Sequence, residues 1–500
     1  MSDLRTNPRS ADARVFVALL VFAMAWSWAA GAMAAAAERP SKKLNFVFIL
    51  IDDMGWTDLG CFGSDFYETP HIDRLATGGM RFTSAYAACP VCSPTRASLM
   101  TGKYPARLKL TNFIAGRRRL ENARVLPADF KLFLELDEVT LAEALKPAGY
   151  TTAQFGKWHL GGVEHFPDRQ GFDVSVVTAG RHFGSVVQAA KGDSPVFSLR
   201  KPGQSPSSVP ALPTKLPDDT YLAEFLTDRA VGFIEQNKDR PFFLHLCHFA
   251  VHIPLEAREK LVAKYEAKAK AHPGTRHNNP TYAAMVEHVD QSVGRVVETL
   301  QRLKIADRTV VVFTSDNGGL SVKEGPKTPS TTNAPLRAGK GYLYEGGIRV
   351  PLIVCWPKGV QPGSVCDAPV SSVDFYPTIL ELAGAKGDPK HVHDGESLVP
   401  LLKQTGSLRR DALYWHYPHF SNQGGMPGAA VRQGDWKLIR FYENERMELY
   451  NLKDDPGETS DLAARRRGKV AEMRGMLDRW LRAVDATMCP PNPDYVPAKP

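Results

Sequence analysis

Apolar residues recur along this chain in two ways, as short continuous runs and as stripes spaced for a helix. The run "LNFVFILIDDMGW" (44–56) is continuous and ends in two aspartates. Such runs are strands covered on both faces, because no polar position alternates with the apolar ones. "TTAQF" (151–155), "PFFLHLCHF" (241–249), "TVVVFTSDNGG" (309–319) and "VPLIVCW" (350–356) read the same way. Between them lie "DEVTLAEALKPAG" (137–149), "TYLAEFLTDRAVGFIEQ" (220–236) and "YAAMVEHVDQSVGRVVETLQRL" (282–303), which carry helical patterns. Strand–helix alternation predicts the α/β class, with one large, mostly parallel or mixed sheet sandwiched by helices. Ligands then bind beyond the carboxyl ends of the strands, where several chemically loaded residues fall.

The pattern changes after residue 405. "ALYWHYPHF", "GAAVRQGDWKLIRF" and "MELYNLKDDPGE" are short strand–turn–strand units, and "KVAEMRGMLDRWLRAV" is one amphipathic helix. This predicts a small C-terminal antiparallel sheet plus helix, at 406–500, on a main domain at 38–405. The stretch 185–220, rich in Pro, Ser and Gly, reads as an irregular excursion.

Residues 1–37 stand apart. Arg5, Arg9 and Arg14 precede an apolar run from Val15 to Trp28, and small residues follow to Ala37. That order is the one a cleaved secretory signal peptide has; the competing reading is a membrane anchor, for which the apolar core is short. Export, to a periplasm or the medium and without stable membrane insertion, is the expectation. No Asn-x-Ser/Thr sequon occurs, which favours a bacterial source. The formal charge of +8 favours anionic partners, although "RRR" at 117–119 and 465–467 also reads as solvated surface. No nucleic-acid motif is present. The seven cysteines have irregular spacings and an odd count, so one of them is free or chemically special.

"CSPTRASLMTG" (92–102) raises that special case. Ser93 can cap a helix and Pro94 suits its first position, which sets Cys92 just before a helix N-terminus. Free N–H groups there and the guanidinium of Arg96 favour an anion against residue 92. As a plain thiol, Cys92 would be a nucleophile of depressed pKa, or else a buried structural cysteine. Asp52 and Asp53 end one strand, and Asp316 and Asn317 end another. Three carboxylates and an amide oxygen suit Ca²⁺, provided the two neighbouring aspartates leave the strand, although Asp-Gly and Asn-Gly runs are also ordinary turns. Lys157 and His159, two apart, share one side of an extended segment.

C-S-P-T-R followed by A-S-L-M-T-G closely resembles the signature of type I sulfatases, with Thr95 where Ser is commoner. The family's second stretch, G-K-W-H-L-G, stands at 156–161. The resemblance runs from about residue 44 into the C-terminal segment. It implies an alkaline-phosphatase-like fold and oxidation of Cys92 to formylglycine by a maturase. It also implies calcium held by Asp52, Asp53, Asp316, Asn317 and the modified residue 92. Arg96, Lys157 and Lys340 would neutralise the sulfate oxygens. His252, with Lys340 nearby, would protonate the departing alcohol, and His159 would take a proton from residue 92. His248 is the competitor for His252 and is given a structural role. His416 and His419, and "RHFG" (181–184), are expected at the pocket rim; His272, His277 and His288 are read as solvated, and His391 and His393 have no motif behind them. The implied function is removal of sulfate from a sulfated polysaccharide or oligosaccharide. The alternative is a phosphodiesterase or phosphonate monoester hydrolase of the same superfamily. Asn317 argues against that alternative, because Asn is a poor zinc ligand. A carbohydrate-binding relative without activity would have lost catalytic residues, and all are present.

Overall fold

The computed structural model describes residues 43–116, 120–178, 182 and 219–497. The expected leader, the arginine run at 117–119, "RHFG" apart from His182, and the 185–220 excursion up to 218 lie outside the described residues. Fourteen strands succeed one another among those described. They are β1 (Asn45–Ile51), β2 (Met80–Phe82), β3 (Ala85–Tyr86), β4 (Thr151–Gly156), β5 (Val174–Val177), β6 (Phe242–His248), β7 (Thr309–Ser315), β8 (Leu352–Cys355), β9 (Ser364–Cys366), β10 (Val370–Ser371), β11 (Leu413–Tyr417), β12 (Gly428–Gln433), β13 (Trp436–Phe441) and β14 (Met447–Asn451). Eight form the main sheet in the order β5-β4-β6-β1-β7-β8-β2-β9. The first five run parallel; β8 is antiparallel to β7 and β2, and β9 lies parallel to β2.

The continuous apolar runs become central strands because each face has its own cover. Along β1, Val47, Ile49 and Ile51 enter one core with the helices Leu222–Asn237 and Pro280–Arg302. Phe46, Phe48 and Leu50 enter a second core with the helices Cys92–Thr101 and Phe375–Ala383. The long helix starts where Asn279 accepts a hydrogen bond from Tyr282 N and Pro280 needs no donor. Among the described residues no helix is long and apolar enough to cross a membrane.

The four-stranded sheet β11-β12-β13-β14 is antiparallel throughout, with the helix Arg467–Ala483 on one face. Its other face, through Trp415, Tyr417 and Ile439, packs on Tyr86, Val91 and Leu343. From Leu44 to the C-terminus the chain forms one compact unit. Two of the histidines read as solvated are buried: His277 stacks on Tyr67 at 4.6 Å, and His288 lies over Tyr221 at 4.1 Å. Their helical or polar sequence surroundings hid aromatic partners far away in the chain. All seven cysteines are free thiols.

Candidate active site

The parallel strands deliver their next residues to one end of the sheet. Asp52 and Asp53 follow β1, Lys157 and His159 follow β4, His252 follows β6, and Asp316 and Asn317 follow β7. Asp53 leaves the strand with φ 62°, which lets both neighbouring carboxylates turn to the same place. His159 has φ 59° and swings back in the same way. Cys92 comes from a different direction, at the start of the helix Cys92–Thr101. That helix begins two residues earlier than expected: Val91 is its cap, without a side-chain bond, and Ser93 Oγ instead accepts from Ile114 N at 3.1 Å.

Six ionic side chains interlock at this end. Arg96 donates through Nε to Asp316 Oδ2 at 2.8 Å and through Nη1 to the Lys157 carbonyl at 2.8 Å. Lys157 Nζ meets Asp52 Oδ2 at 2.5 Å, and Lys340 Nζ meets Asp53 Oδ2 at 2.7 Å. Asn317 Nδ2 donates to Asp53 Oδ1 at 2.8 Å, and Asp53 N to Asp316 Oδ1 at 3.2 Å. All six are buried. Burial opposes ionisation of Asp52, but Lys157, His252, Arg96 and Lys340 outweigh it and hold the carboxyl well below its ordinary value. Burial and the Asp52 charge push Asp316 up to about 7 in spite of Arg96. Lys157 and Lys340 are held above their ordinary values, because their aspartates overcome the cost of burial.

Two oxygens in this network, Asp52 Oδ1 and Asn317 Oδ1, are buried and meet no hydrogen-bond donor. Buried oxygens are rarely left so, since each costs ~1–3 kcal/mol. Asp52, Asp53 and His252 also bring ligand atoms within 4.8 Å of one another. The oxygen donors fit a hard dication better than a hydrogen-bonded core.

The two site histidines have defined tautomers, because a carbonyl can only accept. His159 Nε2 faces the Ile114 carbonyl at 3.4 Å, so it carries the proton and Nδ1 presents its lone pair to Cys92 Sγ at 3.3 Å. Burial, then Lys157 and Arg96, hold this imidazole neutral. His252 Nδ1 faces the Ile253 carbonyl at 2.5 Å, which leaves Nε2 facing the site, 3.6 Å from Asp53 Oδ2. Burial, then Lys340, pull His252 down to about 4. The Cys92 thiol does not follow the helix-terminus expectation. Burial pushes it up, Asp52 and Asp316 add to this, and Lys157 and Lys340 only partly compensate.

These groups form the floor of a cavity of about 530 Å³. Cys92, Lys157, His159, His252 and Lys340 line it, with Phe113, Ile114, Trp158, Phe166 and Phe249 on its walls and Glu324, Asn422 and Gln423 at its polar side. His416 and His419 do not reach it. His416 is buried between Tyr442 Oη and the Thr487 carbonyl, both at 2.9 Å, and His419 bonds Thr111 Oγ1 at 2.8 Å. The C-terminal unit does border the cavity, through Asn422 and Gln423, which follow His419 in the chain. His182 lies behind the site, with Nε2 donating to the His252 carbonyl at 2.9 Å. His248 is buried and bonds Ser292 Oγ at 2.9 Å. No sequence signal marked Glu324, and the aromatic walls came from loops without periodicity.

The sulfatase family model matches residues 44–385, most of the chain. The chain belongs to the sulfatase family. A second model, for the C-terminal part of N-sulphoglucosamine sulphohydrolase, matches residues 338–485 of this sulfatase. It is 36% identical to a sulfatase of Formosa agariphila, over 88% of this chain and 89% of the relative. It is 35% identical to N-acetylgalactosamine-6-sulfatase of Mus musculus, over 77% of this chain and 71% of that one. Among solved structures it is similar to Ps i-CgsB in complex with k-i-k-neocarrahexaose, with TM-score 0.72 and 31% identity over 88% of this chain and 93% of that one. The fold is that of the alkaline-phosphatase-like sulfatases, and the enzyme is a sulfuric ester hydrolase.

Proposed function

We propose that this sulfatase removes sulfate from a sulfated polysaccharide or oligosaccharide outside the cytoplasm. In this reading Cys92 is matured to formylglycine and Ca²⁺ is held by Asp52, Asp53, Asp316 and Asn317 together with residue 92. The observation that carries the reading is the pair of buried, partnerless oxygens, Asp52 Oδ1 and Asn317 Oδ1, in the cluster beside the His159–Cys92 contact. The carbohydrate rests on the names of the relatives and on the basic surplus of the chain, formally +8. When present, the calcium supplies positive charge against a sulfate group, and formylglycine, as its hydrate, supplies a hydroxyl nucleophile in place of a thiol that burial keeps protonated.

The residues of the chain do the rest. Lys157 and Lys340 share their ammonium hydrogens between the aspartates and the non-bridging oxygens of the ester, so that both are oriented before substrate arrives. Arg96 lies deeper and holds Asp316 and the Lys157 carbonyl in place. His252 presents Nε2 to the leaving oxygen. In the free site it is neutral, and the arriving anion raises its proton affinity, so acid and ester enter together. Lys340 keeps its proton throughout and stands beside Asp53 as a second donor. His159 Nδ1 accepts a proton from the side chain of residue 92, as its fixed tautomer requires.

Mass spectrometry of the peptide spanning residue 92 tests the reading, alongside sulfate release from sulfated saccharides. Preparations made with and without a formylglycine-generating maturase should differ in both, with release proportional to the aldehyde fraction. Full release from protein whose residue 92 is wholly thiol would overturn it. Phosphoester turnover well above sulfate turnover, dependent on a transition metal, would support the phosphodiesterase or phosphonate hydrolase alternative instead.

A further inference from the structure

The cavity carries one charged lining group that belongs to neither its floor nor the calcium cluster. Glu324 lies on the loop beyond Asn317 and is the only carboxylate among the described lining residues. Its position is built rather than incidental. Gln423 Nε2 donates to Glu324 Oε2 at 2.6 Å, and the Gln423 amide is itself oriented by Ser421, whose Oγ donates to Gln423 Oε1 at 2.6 Å. The Gln423 backbone is fixed as well: its N–H donates to Ser421 Oγ at 3.0 Å and its carbonyl accepts from Tyr342 Oη at 2.7 Å. On the other side Thr328 Oγ1 accepts from the Glu324 N–H at 2.9 Å. A rim glutamate serving solubility alone would turn to water; this one is tethered to the pocket by a polar chain from the C-terminal unit.

We infer that Glu324 is a specificity-determining residue, which accepts hydroxyl hydrogens from the alcohol part of the substrate and excludes a second anionic group beside the scissile ester. The inference rests on the sulfatase reading of the cavity. A carboxylate can only accept hydrogen bonds, so neutral sugar hydroxyls satisfy it, whereas a sulfate or uronate placed there is repelled. The aromatic walls suit the C–H face of a sugar ring. The surface charge of the chain draws polyanions, but the carboxylate selects, among their rings, those with a single sulfate.

Three phenyl sulfates test this, bearing a trimethylammonium, a neutral or a carboxylate group at the far end of the ring. Their affinity is read by calorimetry and their turnover by kcat/KM, on the wild type, Glu324→Gln and Glu324→Lys. The wild type should prefer the cation over the anion by roughly 5- to 30-fold at low salt, and less at high salt. Glu324→Gln, which keeps the shape and the Gln423 contact, should flatten the order, and Glu324→Lys should invert it. The same Gln variant should gain on N-acetylgalactosamine 4,6-disulfate relative to the 6-sulfate. A wild type with no preference, or a Gln variant with the same preference, overturns the inference. An intact affinity order without turnover of any ester would count against sulfate hydrolysis and leave the Glu324 assignment supported.

Discussion

His252 and His416 show what burial does to an imidazole in two settings. His252 faces the cavity through Nε2. As the proposed acid for the departing alcohol it would matter most when that alcohol is a poor leaving group. His252→Ala should therefore lower kcat/KM on a sugar sulfate by about 10²-fold or more, and far less on 4-nitrophenyl sulfate; equal losses on both would remove it from the role. His416 is buried away from the cavity, and burial holds it at about 4 even though the Thr487 carbonyl favours its proton. The unfolded chain binds that proton near pH 6.5. Between those values the unfolded state holds more protons, so stability is fully present above pH 6.5 and is lost as the pH falls toward 4. Thermal melts across that range should show a decline, which His416→Gln should make shallower. The resemblance placed His416 at the pocket rim because the C-terminal unit of sulfatases often borders the pocket and this stretch holds two histidines among polar groups. Alternation decided otherwise: Trp415 and Tyr417 turn toward the main domain, which leaves His416 on the opposite face with Tyr442.

At the scale of elements, the ends of strands carried most of what could be read beforehand. The runs that become β1, β4, β6 and β7 were legible because both faces are apolar, and the catalytic candidates follow each run directly. The short strands β2, β3, β9 and β10 have two or three residues each, too few for a periodic signal. The order of strands was not legible either, since β1 sits between two strands that lie roughly two hundred residues or more further along the chain. Gly156 shows how a motif glycine serves its neighbours. It ends β4 with φ 106°, and a Cβ there would lie 1.8 Å from the Cys247 carbonyl oxygen. That same carbonyl accepts the Lys157 N–H at 3.0 Å. Gly156→Ala should push β4 away from β6, cost about 1–3 kcal/mol or more, and displace Lys157. A lower melting temperature together with a raised KM for an aryl sulfate would show it; a variant with wild-type melting would contradict the close approach.

Across the whole molecule, the small sheet is joined to the active-site loops by a buried ionic cluster. Lys437 of β13 meets Glu345 and Glu458, each at 2.9 Å, and all three are fully buried. Glu345 also accepts from Tyr86 Oη at 2.7 Å, and it lies just beyond the loop that supplies Lys340. Removing one member of such a cluster strands the others. Lys437→Ala should cost about 3–5 kcal/mol and reduce activity through the loop, measured by thermal unfolding and by kcat/KM. The floor of the cavity has a different balance. Asp52, Asp53 and Asp316 set three formal negative charges against Arg96, Lys157 and Lys340, and the sum is zero. Once the pH is above the value of about 7 to which Asp316 is raised, the polypeptide alone therefore offers an incoming anion a shape and donors but no surplus of charge. Affinity for inorganic sulfate, the released product, should then follow metal occupancy, with calorimetry detecting it on the calcium-loaded protein and losing it after chelation. If calcium occupies the cluster as proposed, product inhibition becomes a gauge of how completely the enzyme is metallated, and a preparation that shrugs off sulfate would be one without the ion.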